Sequence, residues 1–338
     1  MTIFLDEILG QPAALSSFVS CPQAPSWAEI AAAAPPGRVV LTGMGASFHA
    51  AMWGAHVLNG MGILALAIEA SELLYYPSVF SRDADTFVVI SQSGGSAELA
   101  PLLARLPAGA QVVALTNQPE SVLGRHARMT LDLSAGAEAT VASKTYLNTL
   151  ACLWVLAHAW SGAGVEEALS QIAGVAEAVA ALTGDAQTIG AQWCERLLAC
   201  DKLVFTGHGP HVPAARQGAM MLSEWSKRQA LGVGIGAFRH GLLEFTDEAT
   251  GIIILGGAGV TQASVEGLGQ EMRSYGATVV GVIEGRLVEP GAVTDRRFPE
   301  VLSAMLDVVP MQIFVEQAAR QLGVAPGFRH ISKVIERL

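Results

Sequence analysis

The feature that most constrains the fold of this chain is an internal repeat with an offset of 164 residues. In each copy, an apolar run leads into Thr-Gly-x-Gly and then into a helix-like segment. The matching pairs are 39–45 with 203–209, 86–90 with 250–254 and, at an offset of 167, 112–115 with 279–282. Three matches in the same order predict a duplicated domain.

Within each repeat, short apolar runs rich in Val and Ile alternate with helical stretches. Such runs are typical of strands buried on both faces, and their alternation with helices indicates a parallel sheet covered on both sides. We therefore predict an α/β fold in which each repeat is a three-layer α/β/α sandwich. The predicted domains are 1–165 and 191–338, the latter including the C-terminal tail, joined by a helical bridge at 166–190.

Composition narrows the classes of partner. Hydrophobic residues make up 51% of the 338 residues, enough for two buried cores. A net charge of −10 argues against nucleic acid, so an anionic ligand would have to be bound locally by N–H groups and hydroxyls. The four cysteines lack metal-binding spacing, so we expect no metal. An acidic N-terminus and interrupted apolar runs predict a cytoplasmic protein without a signal peptide or membrane contact.

The strongest local signal is the serine loop, SQSGGS at 91–96, which follows the apolar strand 87–90. Serine hydroxyls and the Gln92 amide can donate hydrogen bonds to anionic oxygens, and glycines let backbone N–H groups approach. A helix beginning after the loop would add its partial positive charge. The loop therefore predicts a phosphate cradle that needs no lysine. The same residues also fit an ordinary polar turn with a serine cap.

Other polar positions are individually weaker. The segment GMGASF at 43–48 is a partial dinucleotide fingerprint, but Phe48 occupies the third glycine position. Glu138 precedes a polar entry to an apolar helix. Glu224 lies in an apolar helical stretch, where a carboxylate can serve as a base or simply face solvent. His240 lies in a basic loop segment, where a solvated histidine is the ordinary interpretation.

Taken together, these segments resemble the sugar isomerase (SIS) domain family over nearly the whole chain. The resemblance is closest to the double-SIS isomerase half of glucosamine-6-phosphate synthase and to stand-alone phosphosugar isomerases and deglycases. The six motifs that carry it, in family order, are MGASFHA at 44–50, SQSGGS at 91–96, VASKT at 141–145, LSE at 222–224, RHGLL at 239–243 and HISKV at 330–334.

The resemblance implies two tandem SIS domains and a site for a sugar phosphate. Glu224 would move a proton between C1 and C2, His240 would help to open the sugar ring, and Lys333 would lie near the carbonyl carbon and polarise it or condense with it. The family also implies a homodimer with a site shared across its interface, and no cofactor. The residues implied to hold the sugar and its phosphate are Gly45, Ala46, Ser47, Ser91, Gln92, Ser93, Ser96, Val141, Ala142, Ser143 and Ser332.

The chain departs from the family pattern at several positions. Ala46 replaces a threonine, Gly95 replaces the loop glutamate, and Met221 replaces the lysine three residues before the catalytic glutamate. At 143–145 the order is Ser-Lys-Thr rather than Ser-Thr-Lys.

The sequence contains no glutaminase half, so glutamine-fed synthesis is not expected. The expected reaction is aldose–ketose isomerisation, or amination or deamination at C1/C2, of a hexose 6-phosphate or amino-sugar phosphate. The alternative is a non-catalytic sensor of sugar phosphates. The presence of Glu224, His240 and Lys333 together favours the enzyme.

Overall fold

The computed structural model describes residues 2–35, 37–76, 85–257, 259–292 and 296–335. The chain forms two compact units. The first unit comprises Gly10–Ala176 and Arg329–Leu338, and the second comprises Met1–Leu9 and Glu177–Phe328. The tail was predicted to belong with the second repeat, but its contacts group it with the first. The division near residue 176 falls inside one helix, Val165–Gly184, within the predicted bridge.

The elements follow the predicted alternation of strands and helices. The helices are α1 (Ile3–Leu9), α2 (Gln11–Ser20), α3 (Trp27–Ala32), α4 (Ala46–Gly60), α5 (Ala70–Tyr75), α6 (Leu99–Leu103), α7 (Val122–His126), α8 (Lys144–Ser161), α9 (Val165–Gly184), α10 (Ala186–Leu197), α11 (His211–Met221), α12 (Ile235–Arg239), α13 (Gln262–Ser274) and α14 (Glu300–Gln321). The strands are β1 (Val39–Gly43), β2 (Ala65–Glu69), β3 (Thr86–Ile90), β4 (Gln111–Thr116), β5 (Met129–Asp132), β6 (Lys202–Gly207), β7 (Ala230–Gly234), β8 (Thr250–Leu255), β9 (Thr278–Ile283) and β10 (Arg286–Val288).

The sheet of the first unit has the strand order β2-β1-β3-β4-β5, and all of its pairings are parallel. β1 and β3 are buried along their whole length. On one face, Val40 and Phe87 pack with residues of α5, α6 and α7. On the other, Leu41 lies against α4 and α8 at Gly54. Apolar side chains therefore point both ways from these strands, which confirms the predicted three-layer arrangement.

The second unit repeats this plan with the strand order β10-β9-β8-β6-β7. The three strands that the repeat predicted, β6, β8 and β9, pair in parallel, with β7 parallel at one side. β10 is an unpredicted antiparallel edge strand on β9. It follows a tight turn in which Glu284 and Gly285 both adopt positive φ, at 50° and 77°. This turn and α9 and α10 line a cavity of about 420 Å³.

β1 and β3 are neighbours in the sheet, but β1 connects to β2 on one side and β3 to β4 on the other. Such a switch of direction opens a crevice at the carboxyl ends of the two strands. Gly43 lies at this point: a Cβ there would be 2.7 Å from the Ser47 Cβ and 2.8 Å from the Ile90 carbonyl oxygen. In the second unit, a Cβ at Gly207 would be 2.7 Å from the His211 Cβ and 3.1 Å from the Leu255 oxygen. The two units thus share this close approach.

The second unit is built around α14. This helix is long and apolar enough to cross a membrane by length and composition, but 89% of its most apolar window is buried inside the protein. It also buries polar side chains such as Asp307 and Glu316 with internal hydrogen-bond partners. The burial indicates a core helix around which the unit folds.

The close approach at Gly43 predicts a large effect of a single methyl group. Gly43→Ala should destabilise the first unit by about 1–3 kcal/mol, because the new Cβ would meet backbone and Cβ atoms that cannot move independently. Urea unfolding should show a lower midpoint. The matched control is Gly60→Ala at the end of α4, where nothing lies within 4 Å of the new Cβ, and a neutral or slightly stabilising effect is expected. Equal midpoints for the two variants would contradict the packing argument.

Candidate functional site

The serine loop leaves the buried end of β3 and is organised by its own hydroxyls. The Ser91 Oγ accepts a hydrogen bond from the Gly94 N–H at 3.1 Å, and the Ser93 Oγ accepts one from the Gly95 N–H at 3.3 Å. The Oγ atoms of Ser91 and Ser96 are 3.5 Å apart. A hydroxyl that accepts a hydrogen bond can still donate its own proton. The serine O–H groups of the loop therefore remain able to donate, while two of its backbone N–H groups are used internally.

The loop is also fixed from the side of β4. The Gln92 carbonyl accepts hydrogen bonds from the Asn117 N–H at 3.1 Å and from the Thr116 hydroxyl at 3.3 Å. Gly94 has a φ of +59°, and a Cβ there would lie 1.9 Å from the Ser121 Oγ. Only glycine fits this position. These contacts hold the hydroxyls in place before any ligand binds.

The segment after β1 brings three further predicted residues to the same edge of the sheet. Gly45, at φ 53° and ψ −123°, precedes α4, and Ala46 and Ser47 form the first turn of that helix. The packing at Gly43 places Ser47 beside Ile90, the residue that precedes the serine loop. The Thr42 hydroxyl of β1 is fully buried and has no hydrogen-bond partner among the described residues. Ser47, in the first turn of α4, thus lies next to the start of the loop that carries Ser91, Ser93 and Ser96.

The helix expected directly after the serine loop differs from the prediction. α6 has only five residues and begins at Leu99, three residues beyond Ser96. The Ala97 N–H, which would have faced an anion, donates to the carbonyl of Ile335 in the C-terminal tail at 2.9 Å. The longer helix that starts at this edge is α4. Any contribution of a helix dipole to anion binding therefore comes from α4 and not from α6.

The C-terminal tail brings two further predicted residues to the first unit. The Lys333 Nζ lies 2.8 Å from the Glu138 Oε2 and also donates to the Thr140 carbonyl. Ser332 is exposed, and its hydroxyl donates to the Val334 carbonyl within the tail. Together with the Ala97–Ile335 hydrogen bond, the ion pair fixes the tail against the serine loop and the segment before α8.

Glu138 is the residue that the sequence interpretation missed as part of the site. Its side chain is fully buried, and its Oε1 accepts from the N–H and hydroxyl of Ser143 at 2.9 and 3.1 Å and from the Thr145 N–H at 3.1 Å. Its Oε2 accepts from the Thr145 hydroxyl at 2.5 Å. The signal in the sequence is a single acid in a run of small residues, but its cationic partner lies 195 positions away.

The electrostatics of Glu138 follow from these contacts. Burial alone would raise the pKa of its carboxyl, but the Lys333 ammonium and the hydrogen bonds from Lys333, Thr145 and Ser143 outweigh burial. They hold the pKa below the ordinary value of 4.5. Glu138 is therefore an anion at neutral pH, and this anion requires its cation.

The VASKT segment forms the start of α8. Val141 is buried, Ala142 is partly exposed, and Ser143 is fully buried with both its N–H and its hydroxyl donated to Glu138. Contact of these three residues with a sugar remains a prediction from the family resemblance.

Glu224 lies in the second unit, in a π-helical turn at Leu222–Ser226 that continues α11. Single π-helical turns within or next to α-helices are often found at functional sites. Glu224 is partly exposed, whereas its neighbour Trp225 is buried and donates its indole N–H to Glu316 at 2.7 Å. The turn ends at Lys227, which has a φ of 59° and donates to the carbonyls of Glu224 and Gly327. Lys227 therefore lies beside Glu224, the predicted base. After Glu138, it is the second residue that the family motifs did not identify.

His240 lies in the second unit, exposed at the C-terminal end of α12. The neighbouring Arg239 forms an ion pair with Glu271 at 2.6 Å. The predicted roles of Glu224 and His240 in proton transfer and ring opening remain predictions. Among the residues that the structure describes, no group of three or more His, Cys, Asp or Glu is arranged to hold a metal ion.

Replacing Lys333, the cation paired with Glu138, should reverse the way in which Glu138 makes the stability depend on pH. In the wild type, its lowered pKa contributes stability above about pH 4.5 that is lost as the pH falls through the folded-state pKa. In Lys333→Met, burial should dominate and raise that pKa. The free energy of unfolding of the variant at pH 7 should then be lower than that of the wild type. The loss should not exceed about 3 kcal/mol, because Ser143 and Thr145 still donate to the carboxylate, and it should shrink toward pH 4.5.

Urea unfolding of both proteins between pH 4.5 and 8 measures this effect. The control is Lys202→Met, which removes the cation from the solvent-exposed Lys202–Asp247 pair. It should show little loss and no such pH dependence. A deficit in Lys333→Met that is constant across this range would contradict the assignment.

Known proteins share both the sequence pattern and the fold. The SIS domain family model matches residues 34–159 and 196–285. The glutamine–fructose-6-phosphate aminotransferase [isomerizing] of Shouchella clausii is 31% identical over 294 residues, which cover 85% of this chain and 49% of that protein. The chain thus spans about half the length of the curated relatives that it matches.

Two solved structures have the same fold along their whole length. The C-terminal domain of glucosamine-fructose-6-phosphate aminotransferase from Francisella tularensis superposes with a TM-score of 0.83 at 21% identity, covering 97% of this chain and 98% of that one. Glucosamine-6-phosphate deaminase from Thermotoga maritima gives 0.81 at 22% identity, covering 99% of both chains. Since the family model matches both repeats and more than half of the sequence, this chain belongs to the SIS domain family.

Proposed function

We propose that this protein binds a hexose 6-phosphate or amino-sugar phosphate and catalyses proton transfer between its C1 and C2 carbons. The reaction would interconvert an aldose and a ketose, or add or remove an amine at these carbons. The observation that carries the proposal is the pair of hydroxyl-bearing loops at the switch point of the first sheet, with Lys333 fixed beside them.

The loops suit a phosphate monoester. Serine hydroxyls donate to anionic oxygens, and such charge-assisted hydrogen bonds are about twice as strong as neutral ones. The loop is already held by β4 and by Ser121, so binding a ligand does not require it to be ordered. The protein is acidic overall, so this binding rests on local donors rather than on a basic surface.

Glu224 is the proposed base. Isomerisation through an enediol or enolamine needs one carboxylate that takes a proton from one carbon and returns it to the next. The π-helical turn gives Glu224 a position that a regular continuation of α11 would not provide, because it inserts an extra residue per turn. His240 is proposed to assist ring opening, with a partner subunit completing the site in a homodimer.

The names of similar proteins support this chemistry. The relative from Shouchella clausii is named an isomerising aminotransferase of fructose 6-phosphate, and the structure from Thermotoga maritima is named a deaminase of glucosamine 6-phosphate. Both names refer to the addition or removal of an amine on a phosphorylated hexose. The second candidate is a sensor that binds the same ligand without turnover. This alternative is supported by the departures from the family pattern at Ala46, Gly95 and Met221.

Phosphate binding can be tested at Ser47. Ser47→Ala should weaken binding of a hexose 6-phosphate about tenfold or more, since a hydrogen bond to a charged group contributes about 1.5–3 kcal/mol. Calorimetric titration measures the Kd. Ser16→Ala on α2 is the control, because that exposed hydroxyl donates to the Pro12 carbonyl within its own helix. Equal weakening toward the unphosphorylated sugar would show that Ser47 does not contact the phosphate.

Catalysis can be tested at Glu224. Wild type and Glu224→Gln are incubated in deuterated water with hexose 6-phosphates, amino-sugar phosphates and Amadori-type phosphates, and deuterium at C1 and C2 is followed by NMR. We expect exchange with at least one substrate, reduced about 10²-fold or more in the variant because its amide cannot accept a proton. Glu166→Gln, at an exposed position of α9, should exchange at the wild-type rate. Tight binding by the wild type without any exchange would identify the sensor instead.

A further inference from the structure

We propose that Glu316 is a positioning residue, which fixes Trp225 and thereby the π-helical turn that carries Glu224. It rests on the proposed function for the role of Glu224 as the base. All three residues belong to the second unit, and the anchoring of the turn can be measured without any substrate.

The turn that carries Glu224 contains features that bend a helix. Ser223 and Ser226 lie on either side of Glu224 in the sequence, and each hydroxyl donates to the carbonyl four residues earlier, at 3.1 and 2.7 Å. Such bonds weaken and bend helices, and π-helical turns are rare in any case. The direction of Glu224 therefore depends on contacts that the turn makes with the rest of its unit.

Trp225, the residue after Glu224, makes the first of these contacts. Its side chain is buried, and its ring packs on Phe4 of α1 with the ring centroids 4.9 Å apart. Its indole N–H donates to the Glu316 Oε2 at 2.7 Å. A buried N–H without an acceptor is costly, so the hydrogen bond selects one orientation of the ring. Because adjacent residues of a turn point in fixed relative directions, the orientation of Trp225 sets that of Glu224.

Glu316 can hold the indole because it is itself held on its other side. It lies on α14 with only 2% of its surface exposed, and its Oε1 accepts from the Thr2 hydroxyl at 2.7 Å. The Thr2 Oγ1 in turn accepts from the Leu5 N–H at 3.2 Å, which connects it to α1. The two oxygens of one carboxyl group thus join donors from two elements, and turning the group would break both hydrogen bonds.

A second contact fixes the end of the turn. Lys227 ends it with a φ of 59°, and its ammonium donates to the Glu224 carbonyl and, at 2.8 Å, to the Gly327 carbonyl. Trp225 and Lys227 therefore reach partners 91 and 100 positions away, one on α14 and one just beyond it. The end of α14 and the segment after it form the frame on which the turn is held.

Replacing Glu316 separates the hydrogen bond from the volume of the side chain. In Glu316→Leu, kcat for deuterium exchange at C1 and C2 of fructose 6-phosphate and glucosamine 6-phosphate should fall about 10- to 100-fold, since misplacing a reacting group by about 1 Å suffices for such a loss. KM should change little, because the phosphate contacts are not altered. In Glu316→Gln, the amide can accept from Trp225 and donate to Thr2, so kcat should stay near the wild-type value.

The matched control lies on the same helix. Phe314→Leu weakens the packing of α14 on Trp193 of α10, whose ring centroid is 5.7 Å from that of Phe314, and leaves Glu316 and Trp225 unchanged. It should lower the midpoint of urea unfolding, as Glu316→Leu does, without lowering kcat. An equal loss of kcat in Phe314→Leu or in Glu316→Gln overturns the proposal, because the loss would then not follow the hydrogen bond to Trp225.

Amide hydrogen exchange, followed by mass spectrometry, measures the turn without a substrate. In peptides covering 219–230, exchange should be faster in Glu316→Leu than in the wild type and unchanged in Glu316→Gln and Phe314→Leu. If Glu316→Leu does not fold, Trp225→Phe serves instead, because it removes the indole N–H and keeps an aromatic ring beside Phe4. Wild-type exchange of these peptides in the variant that lacks the hydrogen bond overturns the proposal.

The two measurements also distinguish the proposal from the proposed function. If the wild type exchanges deuterium into none of the sugar phosphates tested, Glu224 is not acting as a base and the proposed function fails. The amide exchange of 219–230 then still decides whether Glu316 holds the turn.

Discussion

The arrangement of each unit depends on one close approach of backbone at the carboxyl end of its sheet. At Gly43 the absence of a side chain lets the first turn of α4 lie against the ends of β1 and β3, where a Cβ would be under 3 Å from two neighbours. This contact brings together the segments that follow β1 and β3. The two strands are neighbours in the sheet, but the chain leaves them toward opposite edges. The crevice of a parallel sheet thereby receives hydroxyls from both loops at once, without any residue reaching across the fold.

A second constraint is the burial of the Glu138 carboxylate. Only 15% of the residues are charged, and an anion inside such a protein must have donors and a cation. Glu138 satisfies this requirement by binding the start of α8 on one side and the C-terminal tail on the other. The attachment of the tail therefore depends on the same carboxylate that caps the start of α8.

The two units use the shared plan differently. At equivalent positions, Ser47 leaves a small hydroxyl in the first unit, whereas His211 places a buried ring in the second. That ring is bonded to Asp307 at 2.9 Å and packs so closely on Gly256 that a Cβ there would lie 2.3 Å from its Nε2. The loop after β8 also lacks serine at 255–257 and 259, while Ala258 lies outside the described residues. In the second unit this position holds an imidazole ring, and in the first it holds only the Ser47 hydroxyl.

The sequence by itself determined the repeat, the buried strands β1, β3, β4, β6, β8 and β9, and the polar loop after β3, because apolar runs and glycine-rich turns encode local structure directly. Family motifs added the candidate residues. Only the tertiary structure decided that α6 is a short helix, that Glu224 lies in a π-turn, that the tail belongs to the first unit and that Lys333 is paired with Glu138. These features depend on contacts between residues far apart in the chain, such as the 195 positions from Glu138 to Lys333, and no local pattern specifies which distant partner a buried charge will find.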